Sequence, residues 1–298
     1  MDDLRALRCF LAVVEEGTFT DGAIAVGLSQ PAVSRSVAAL ERACGAQLLV
    51  RGRRGVTLTE AGARAEVLAR RILADVARLA DLGEGTRTVR LGYAWAGLGS
   101  HTAGLRSRWA TSYPDLELQL VNTSSASAGV LEGRADAALV RTPLADPRLR
   151  TAVVGHERRY GAVHASDALA TRRVLRLADF EGRRLALDPD TGSTTPDLWA
   201  HSPSPPVVHE VHGIEEWLQT LLTGDAVGLT SEVTAWRYPH PEIKYRPVSD
   251  APVIDVRLAW DPALPEQHRQ ALLTVLRAEL GGESGGESGG ESGSAASD

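Results

Sequence analysis

One short segment combines side chains that could recognise the edges of DNA bases. The segment Ser29–Arg35 contains an amide, two hydroxyls and a guanidinium among small apolar side chains. Arginine fits the major-groove edge of guanine, glutamine fits that of adenine, and alanine or proline can touch a thymine methyl group. If the segment opens a helix, one arc presents Gln30, Pro31, Ser34, Arg35 and Ala38. This arc indicates sequence-specific DNA contact, although taken alone it could equally be a solvated surface.

The residues around this arc predict a helix-turn-helix. Val33, Val37 and Leu40 recur at helical spacing and form an apolar stripe on the other side of the helix. Ser29 is expected to cap the helix with its side chain, and Pro31 suits a first turn that does not use its missing N–H group. A preceding helix and a glycine-containing turn complete the motif, in which the second helix enters the major groove and the first crosses the backbone.

A basic hairpin is predicted directly after the second helix. Arg51, Arg53 and Arg54 cluster between the short apolar runs 48–50 and 56–58. A hairpin tip with this charge can reach phosphates or a minor groove. A solvated turn is the commoner role of an isolated arginine cluster, but the position beside the second helix favours a DNA-contacting wing.

The first helix of the motif adds two expected phosphate contacts, Thr18 and Thr20, although Thr20 could instead serve only as an N-cap. The complete set of predicted DNA-contacting residues is Thr18, Thr20, Ser29, Gln30, Pro31, Ala32, Ser34, Arg35, Arg51, Arg53 and Arg54.

These residues also carry a family resemblance. The sequence resembles the LysR-type bacterial transcription regulators at Phe10, Val14, Gly17, Phe19, Thr20, Ala23, Ser29, Gln30, Pro31, Ala32, Val33, Ser34, Leu40, Glu41, Gly45, Leu48, Arg51, Arg54, Gly55, Leu58, Thr59, Ala61 and Gly62. The resemblance implies an operator in double-stranded DNA, a small-molecule effector, RNA polymerase as a partner, and a homodimer or homotetramer. It is strong over the first 62 residues and looser to about residue 278.

Charge and composition are compatible with this interpretation. The 298 residues carry a formal net charge of −6. Four acidic residues and no basic residue lie in the tail from residue 281, which repeats the sequence Gly-Gly-Glu-Ser. The two cysteines, Cys9 and Cys44, cannot build a disulfide framework, which fits a reducing compartment. The charged start predicts no signal peptide, and no apolar run is long enough to span a membrane. We therefore expect a cytoplasmic protein with no membrane partner.

From Thr59 the pattern predicts one long helix with a narrow apolar seam. Ala61, Ala65, Leu68, Ile72, Val76 and Leu79 recur at spacings of three and four residues, as expected for a coiled-coil interface. Thr59 is the expected N-cap. The seam could pack on the chain's own domain, whereas the family resemblance implies a linker helix that pairs two DNA-binding domains.

The remaining chain predicts alternating strands and helices, hence parallel sheets with crossover helices. The expected strands are Val89–Ala94, Leu116–Val121, Ala137–Val140, Ala152–Gly155, Gly161–Val163, Arg184–Leu187, Val207–Val211, Ala226–Leu229 and Val256–Trp260. The expected helices are His101–Ser112, Ala126–Gly133, Ile214–Thr223 and Pro265–Leu280. The resemblance implies a two-lobed α/β effector domain like the periplasmic solute-binding proteins.

The predicted organisation is thus a winged helix-turn-helix (1–58), a linker helix (59–86), the effector domain (87–280) and a disordered tail (281–298). Ligands in open α/β sheets bind at the carboxyl ends of strands. The residues expected there are Ser100, His101, Thr123, Ser124, Arg141, Thr194, His212 and Thr230. Ser100 and Ser124 lie where the resemblance places effector-binding hydroxyls. The predicted ligand is a small anion or polar acid between the lobes, although helix capping is the ordinary role of each hydroxyl, and Trp95 and Trp199 would suit a bulky ligand.

Two patterns resemble enzyme motifs but fit poorly. The sequence Gly97-x-Gly99-x-x-Thr102 lacks the third small residue of a dinucleotide loop. His209 and His212, if both on a strand, point to opposite faces with no third zinc ligand at metal spacing. We expect no catalytic residues, no metal and no cofactor, and hence not an enzyme. The alternative from another class is a small-molecule-binding protein or enzyme whose amino-terminal helices serve as an interaction module.

Overall fold

A computed structural model describes residues 3–52, 55–81 and 88–281. The chain divides into two compact units, each assembled from several segments. Unit 1 comprises Met1–Gly97, Tyr113–Thr151 and Ala259–Leu264, and unit 2 comprises Leu98–Ser112, Ala152–Leu258 and Pro265–Asp298. None of the helices in these described ranges has the length and apolarity that crossing a membrane requires.

The amino-terminal part of unit 1 is a three-helix core with a two-stranded wing, followed by one long helix. Its elements are α1 (Asp3–Glu16), α2 (Phe19–Ala25), α3 (Gln30–Cys44), β1 (Leu49–Gly52), β2 (Gly55–Leu58) and α4 (Glu60–Asp81). The wing strands pair antiparallel from Leu49 opposite Leu58 to Gly52 opposite Gly55. The buried core of this region consists of Cys9, Phe10, Leu11, Val13, Phe19, Ala23, Val33, Val37, Leu48, Leu49 and Ala69. The predicted helix-turn-helix and hairpin are therefore confirmed.

The apolar seam of α4 has two parts with different surroundings. Ala61 and Ala65 pack against the core of the chain's own amino-terminal region. Further along the helix, Leu68, Ile72 and Leu79 are 56%, 44% and 66% exposed. The first turns of the helix are thus anchored within the chain, whereas the later turns present apolar side chains on its surface. Pairing of the seam with a second copy stays a prediction.

Two five-stranded sheets and the helices that connect or follow their strands form the rest of the described chain. The strands are β3 (Thr88–Tyr93), β4 (Glu117–Asn122), β5 (Ala137–Val140), β6 (Arg150–Glu157), β7 (Arg159–His164), β8 (Arg184–Leu187), β9 (Val207–Glu210), β10 (Val227–Ser231), β11 (Ile243–Pro247) and β12 (Ile254–Trp260). One sheet has the order β4-β3-β5-β12-β6 and the other β11-β7-β10-β8-β9. The helices are α5 (His101–Ser112), α6 (Gly213–Leu222), α7 (Glu232–Arg237) and α8 (Glu266–Leu280).

The second sheet combines parallel and antiparallel pairing. Strand β8 runs parallel to β9 and β10, whereas β7 runs antiparallel to β10 and β11. Because β7 runs against β10, the first residue of β7 lies at the edge of the sheet where β8, β9 and β10 end. Arg159, the first residue of β7, is directly opposite Ser231, the last residue of β10. This edge is where ligands bind in α/β sheets.

The predicted helix Ala126–Gly133 is wrong, because the structure has a series of turns there. Ala128, Gly129 and Gly133 have φ values of 45°, 92° and 68°, which an α-helix does not allow. The side chain of Ser125 accepts the N–H of Gly129, and that of Ser127 accepts the N–H of Leu131. These side-chain acceptors compete with helical backbone bonding.

The sequence pattern also did not indicate one of the strands and one of the α-helices. Strand β11, with the sequence Ile-Lys-Tyr-Arg-Pro, ends in a proline and has one buried position, so it lacks the apolar run of a central strand. Helix α7 is only six residues long and begins directly at the end of β10, with Ser231 as its N-cap. Neither element carries a periodicity long enough to be recognised.

Candidate functional site

The second helix of the helix-turn-helix presents its polar arc on the surface. Val33 and Val37 are 0% and 1% exposed, so their side of α3 is fixed in the core. Pro31 and Arg35 are exposed, and Ser34 is half-buried. Ser29 occupies the N-cap position, but its side chain makes no capping hydrogen bond. The predicted side-chain cap is therefore wrong, and the exposed Ser29 hydroxyl lies at the start of the arc.

Arg51 connects the wing to both helices of the motif. Its guanidinium carbon lies 3.9 Å from the centroid of the Phe19 ring, a cation–π contact with α2. Its Nη2 donates to Ser34 Oγ on α3 at 3.0 Å. The structure thus brings together Arg51 and Ser34, two predicted DNA-contacting residues that are separated in the sequence. A cation and a hydroxyl held side by side in this way suit a phosphate or a base edge.

Arg35 lies on a different side of α3, in a cleft that α1 shares. The cleft has a volume of about 330 Å³ and is lined by Arg5, Ala6, Ala32, Arg35, Ser36, Ala39, Leu40 and Ala43. The two guanidinium groups give the cleft a positive charge, and the alanines that line it have small side chains. Arg5 was not among the residues predicted from the sequence. Its signal was weak, since Arg5 and Arg8 are two exposed arginines on a helix outside the motif.

The turn between α1 and α2 supports the wing. The N–H of Val56 donates to the carbonyl of Gly17 at 2.8 Å. Gly55 has a φ of 121°, and a Cβ at this position would lie 2.6 Å from the Gly17 oxygen. Only glycine allows this approach. The wing therefore contacts the helix-turn-helix through Gly55, the first residue of β2.

The predicted residues of α2 and of the wing tip have different outcomes. Thr18 is the N-cap of α2, and its hydroxyl accepts the N–H of Asp21 at 3.0 Å. The alternative in which Thr20 caps the helix is therefore wrong, and Thr20 is an exposed residue within α2. Arg53 and Arg54 lie outside the residues that the structure describes.

Two hydrogen-bonding side chains fix the base of the wing and the start of α4. Glu41 Oε1 accepts the backbone N–H groups of Leu48 and Leu49 at 2.8 and 3.2 Å. Thr59 Oγ1 accepts the N–H of Gly62 at 2.9 Å, which confirms its predicted role as the N-cap of α4. These bonds hold the wing and α4 in fixed positions relative to α3.

The predicted effector residues of unit 1 are Thr123, Ser124 and Arg141. Thr123 is 7% exposed, and its hydroxyl has no hydrogen-bond partner among the described residues. Ser124 is exposed. The Nη2 of Arg141 donates to the carbonyl of Gly97 in the loop after β3. The same loop contains Trp95, whose φ of 52° is unusual for a residue other than glycine. A buried hydroxyl without a partner and a strained loop are features of ligand sites.

In unit 2 the remaining predicted effector residues do not form one cluster. Ser100 is exposed immediately before α5, and His101 Nδ1 lies 3.7 Å from Glu279 Oε1 on α8. Thr194 Oγ1 donates to the carbonyl of Leu229 at 2.6 Å, next to Thr230. Thr194 and Thr230 are therefore neighbours at the carboxyl edge of the second sheet.

The fifth of these residues, His212, is held at the start of α6. It is exposed, and its backbone N–H donates to Glu216 Oε2 at 2.7 Å. His209, the other histidine of the weak zinc pattern, lies on β9 with its ring within hydrogen-bond distance of Arg184 Nη2.

Asp188 organises this edge, although sequence reasoning did not single it out. Its carboxylate accepts the N–H groups of Asp190, Thr191 and Gly213 at 2.8 to 2.9 Å, and the Thr191 hydroxyl at 2.8 Å. Burial by itself would raise the pKa of Asp188, but these hydrogen bonds together hold that pKa below its ordinary value. One carboxylate thus ties the loop after β8 to the start of α6.

Comparisons with known proteins agree with this geometry. Residues 4–63 match the family described as "Bacterial regulatory helix-turn-helix protein, lysR family", and residues 83–281 match the "LysR substrate binding domain". The transcriptional regulator BenM of Acinetobacter baylyi is 29% identical over 252 residues, which cover 78% of this chain and 81% of BenM. The uncharacterised regulator YnfL of Escherichia coli is 32% identical over 200 residues, 64% of this chain and 67% of YnfL.

A solved structure has the same fold. The crystal structure of CbnR, a LysR family transcriptional regulator, superposes with a TM-score of 0.66 at 22% identity and covers 93% of this chain and 99% of CbnR. CbnR in complex with its target DNA gives a TM-score of 0.64 at 21% identity. The two family matches together span both the helix-turn-helix and the two sheets. This chain therefore belongs to the LysR family of DNA-binding transcription regulators with an effector-binding domain.

Proposed function

We propose that this regulator binds a roughly palindromic operator, with α3 in the major groove and the wing on the adjacent backbone. The observation that carries the proposal is the joining of α3 and the wing by Arg51, which contacts Phe19 and Ser34. Arg35 and Gln30 are proposed to contact base edges, and Thr18 and Thr20 to contact phosphates. Ser29, Pro31, Ala32, Arg53 and Arg54 complete the proposed interface. CbnR, which shares the fold, has been crystallised with its target DNA.

The exposed end of the seam supports assembly through α4. Leu68, Ile72 and Leu79 are large apolar side chains on one helix that remain about half exposed or more. Burying them against the same helix of a second copy would remove this apolar surface from water and set two α3 helices at a fixed spacing. We propose a homodimer or homotetramer on this basis.

The two sheets are proposed to bind the effector, a small polar acid. The buried Thr123 hydroxyl in unit 1 and the Thr194–Thr230 edge in unit 2 support this proposal. Ser100, His101, Ser124, Arg141 and His212 stay candidates from the sequence. The effector would alter operator affinity or geometry and thereby act on RNA polymerase. We propose that the protein works in the cytoplasm, is not an enzyme, and has the boundaries 1–58, 59–86, 87–280 and 281–298.

The proposal is tested with the DNA upstream of the protein's own gene. In a gel-shift experiment, the full chain should retard this DNA in the presence of an excess of unrelated competitor DNA. Equal competition by the unrelated DNA would contradict the proposal. It would favour the alternative of a small-molecule-binding protein or enzyme with an amino-terminal interaction module. If the chain does retard this DNA specifically, adding cell extract fractions that contain small acids should change the retardation.

A further inference from the structure

Arg159 is a buried cation without a carboxylate partner in the described part of the chain. The residue is 9% exposed. Its Nε donates to the carbonyl of Pro252 at 2.9 Å, and its Nη1 donates to the carbonyl of Ser193 at 2.8 Å. Neither partner is charged, and Nη2 makes no hydrogen bond to a described residue. A buried charge is normally paired, because removing it from water carries a large cost.

The neighbouring acids of unit 2 are already engaged. Asp188, the buried carboxylate at the same edge of the sheet, accepts four hydrogen bonds from the loop after β8 and the start of α6. Glu232 pairs with the adjacent Arg158, with Nη2 and Oε2 3.0 Å apart. The pKa of Arg159 is lowered by burial, and no carboxylate of residues 3–52, 55–81 and 88–281 compensates this effect. This guanidinium therefore lacks a counter-charge among the described residues.

The residues that surround Arg159 all belong to unit 2. Arg159 is directly opposite Ser231, so their side chains share one face of the sheet at the carboxyl edge. Both residues are buried, at 9% and 2% exposed. Ser193, whose carbonyl holds the guanidinium, precedes Thr194, whose side chain is fixed on the Leu229 carbonyl. A guanidinium, a hydroxyl and an ordered loop thus converge at one place.

We infer that Arg159 anchors the carboxylate of a small organic acid at this edge, with the Ser231 hydroxyl beside it. The inference rests on the proposed effector-binding function and assigns its charged contact to Arg159 instead of Arg141. A planar carboxylate matches the remaining N–H groups of a guanidinium. One unpaired positive charge balances one carboxylate, whereas a phosphate group carries more charge and needs more donors.

The test uses the full chain, with acetate as the probe. Melting temperatures are measured in potassium acetate and in potassium chloride of equal ionic strength, without DNA. We expect a higher Tm in acetate, and the difference should grow with acetate concentration, because binding to the folded state stabilises it. The absence of any difference in the wild-type protein would overturn the inference, even if no variant folds.

Variants then assign the site. Arg159→Gln should lose the acetate-dependent rise in Tm, and Arg159→Lys should retain part of it. Arg158→Gln, the matched control on the next residue, should keep the full rise. If the acetate-dependent rise in Tm survives in Arg159→Gln, Arg159 only connects two loops. The same holds if the Tm of this variant falls equally in both salts and the difference between the salts is unchanged. A larger rise in inorganic phosphate than in acetate would also contradict the assignment to a carboxylate.

A parallel gel shift with the wild-type protein separates this inference from the proposed function. Operator binding without any acetate effect on Tm would leave the proposed DNA-binding function standing and overturn the assignment of Arg159. An acetate effect that depends on Arg159, without operator binding, would support the assignment of Arg159 and contradict the proposed DNA-binding function.

Discussion

The arginines that are proposed to contact ligands lie in opposite environments in the helix-turn-helix region and in the second sheet. Arg35 and Arg51 are exposed and lie on a surface built from residues close together in the chain. Arg159 is buried, and its two hydrogen-bond acceptors come from segments 34 and 93 residues away. Exposed cations keep their hydration and can exchange among many phosphates. A buried cation with fixed neighbours instead selects one group of complementary shape and charge.

The difference also concerns how each region is stabilised. In the helix-turn-helix, apolar side chains such as Val33 and Val37 fill the core, and the polar arc is left on the outside. At the edge of the second sheet, polar groups are themselves buried, and Asp188 replaces a packed core as the organising element. The helix-turn-helix is therefore held mainly by apolar packing, whereas the loops at this edge of the second sheet are held by hydrogen-bonding groups.

The largest expected effect comes from removing a core side chain. Phe10→Ala deletes a ring that is 0% exposed and should cost about 3–5 kcal/mol. Operator binding should be lost as the helix-turn-helix unfolds. Phe180→Ala, equally buried in the separate core of unit 2, is the matched control. Hydrogen exchange followed by mass spectrometry should localise the first effect to peptides around Val33 and the second to peptides around Leu229. Equal exchange in both regions for both variants would contradict separate cores.

The next effect concerns assembly through α4. Ile72→Glu places a charge in the exposed part of the seam, where dimer formation would bury it. Operator affinity should fall by about 100-fold, because two half-sites would no longer bind as one unit. Light scattering should show a smaller mass. Arg64→Glu adds a charge elsewhere on the same helix, at a 71% exposed side chain, and should leave the mass unchanged. A wild-type mass in Ile72→Glu would show that the seam is not the interface.

The third effect concerns base reading. Arg35→Ala should cost about 1–3 kcal/mol at the operator and relax base preference at one position in each half-site. Arg42→Ala, an exposed arginine in the last turn of the same helix, is the control and should change affinity much less. Binding to a set of operators with single base changes measures both quantities. If Arg35→Ala keeps the wild-type preference at every position, α3 presents a different face to the bases.

The smallest effect concerns Asp188 and depends on pH. Because hydrogen bonding holds the pKa of Asp188 below that of the unfolded chain, this carboxylate stabilises unit 2 above about pH 4, and the contribution is lost as the pH falls through the folded value. Asp188→Asn should cost about 1–3 kcal/mol at neutral pH and reduce the loss of stability on acidification. Urea unfolding at several pH values measures this. An unchanged pH dependence in Asp188→Asn would contradict the role of the carboxylate.

The helix-turn-helix was largely predictable, because its signals are local. The stripe of Val33, Val37 and Leu40, the arginines of the hairpin and the cap at Thr59 lie within one short stretch and follow from helical and strand periodicity. The contact from Arg51 to Phe19 could not be predicted in this way, because the two residues meet only when the wing docks on α2.

The effector region was predicted less completely for a related reason. Strands such as Ala137–Val140 and Arg184–Leu187 were located exactly, since short buried runs between turns identify them. The neighbours of a side chain at the sheet edge depend on strand order, which periodicity does not give. Arg159 therefore has no signal in the sequence. Arg141 follows a predicted strand, and in the structure its guanidinium donates to the Gly97 carbonyl.

The most direct test of DNA reading is a footprint of the full chain on the DNA upstream of its own gene. With excess competitor DNA present, protection should fall on two related half-sites, separated by about one helical turn (roughly 10 base pairs) or a multiple of it, on one face of the duplex. Mutating either half-site should remove the protection. Protection that follows no sequence, or that disappears with unrelated competitor DNA, would contradict the account.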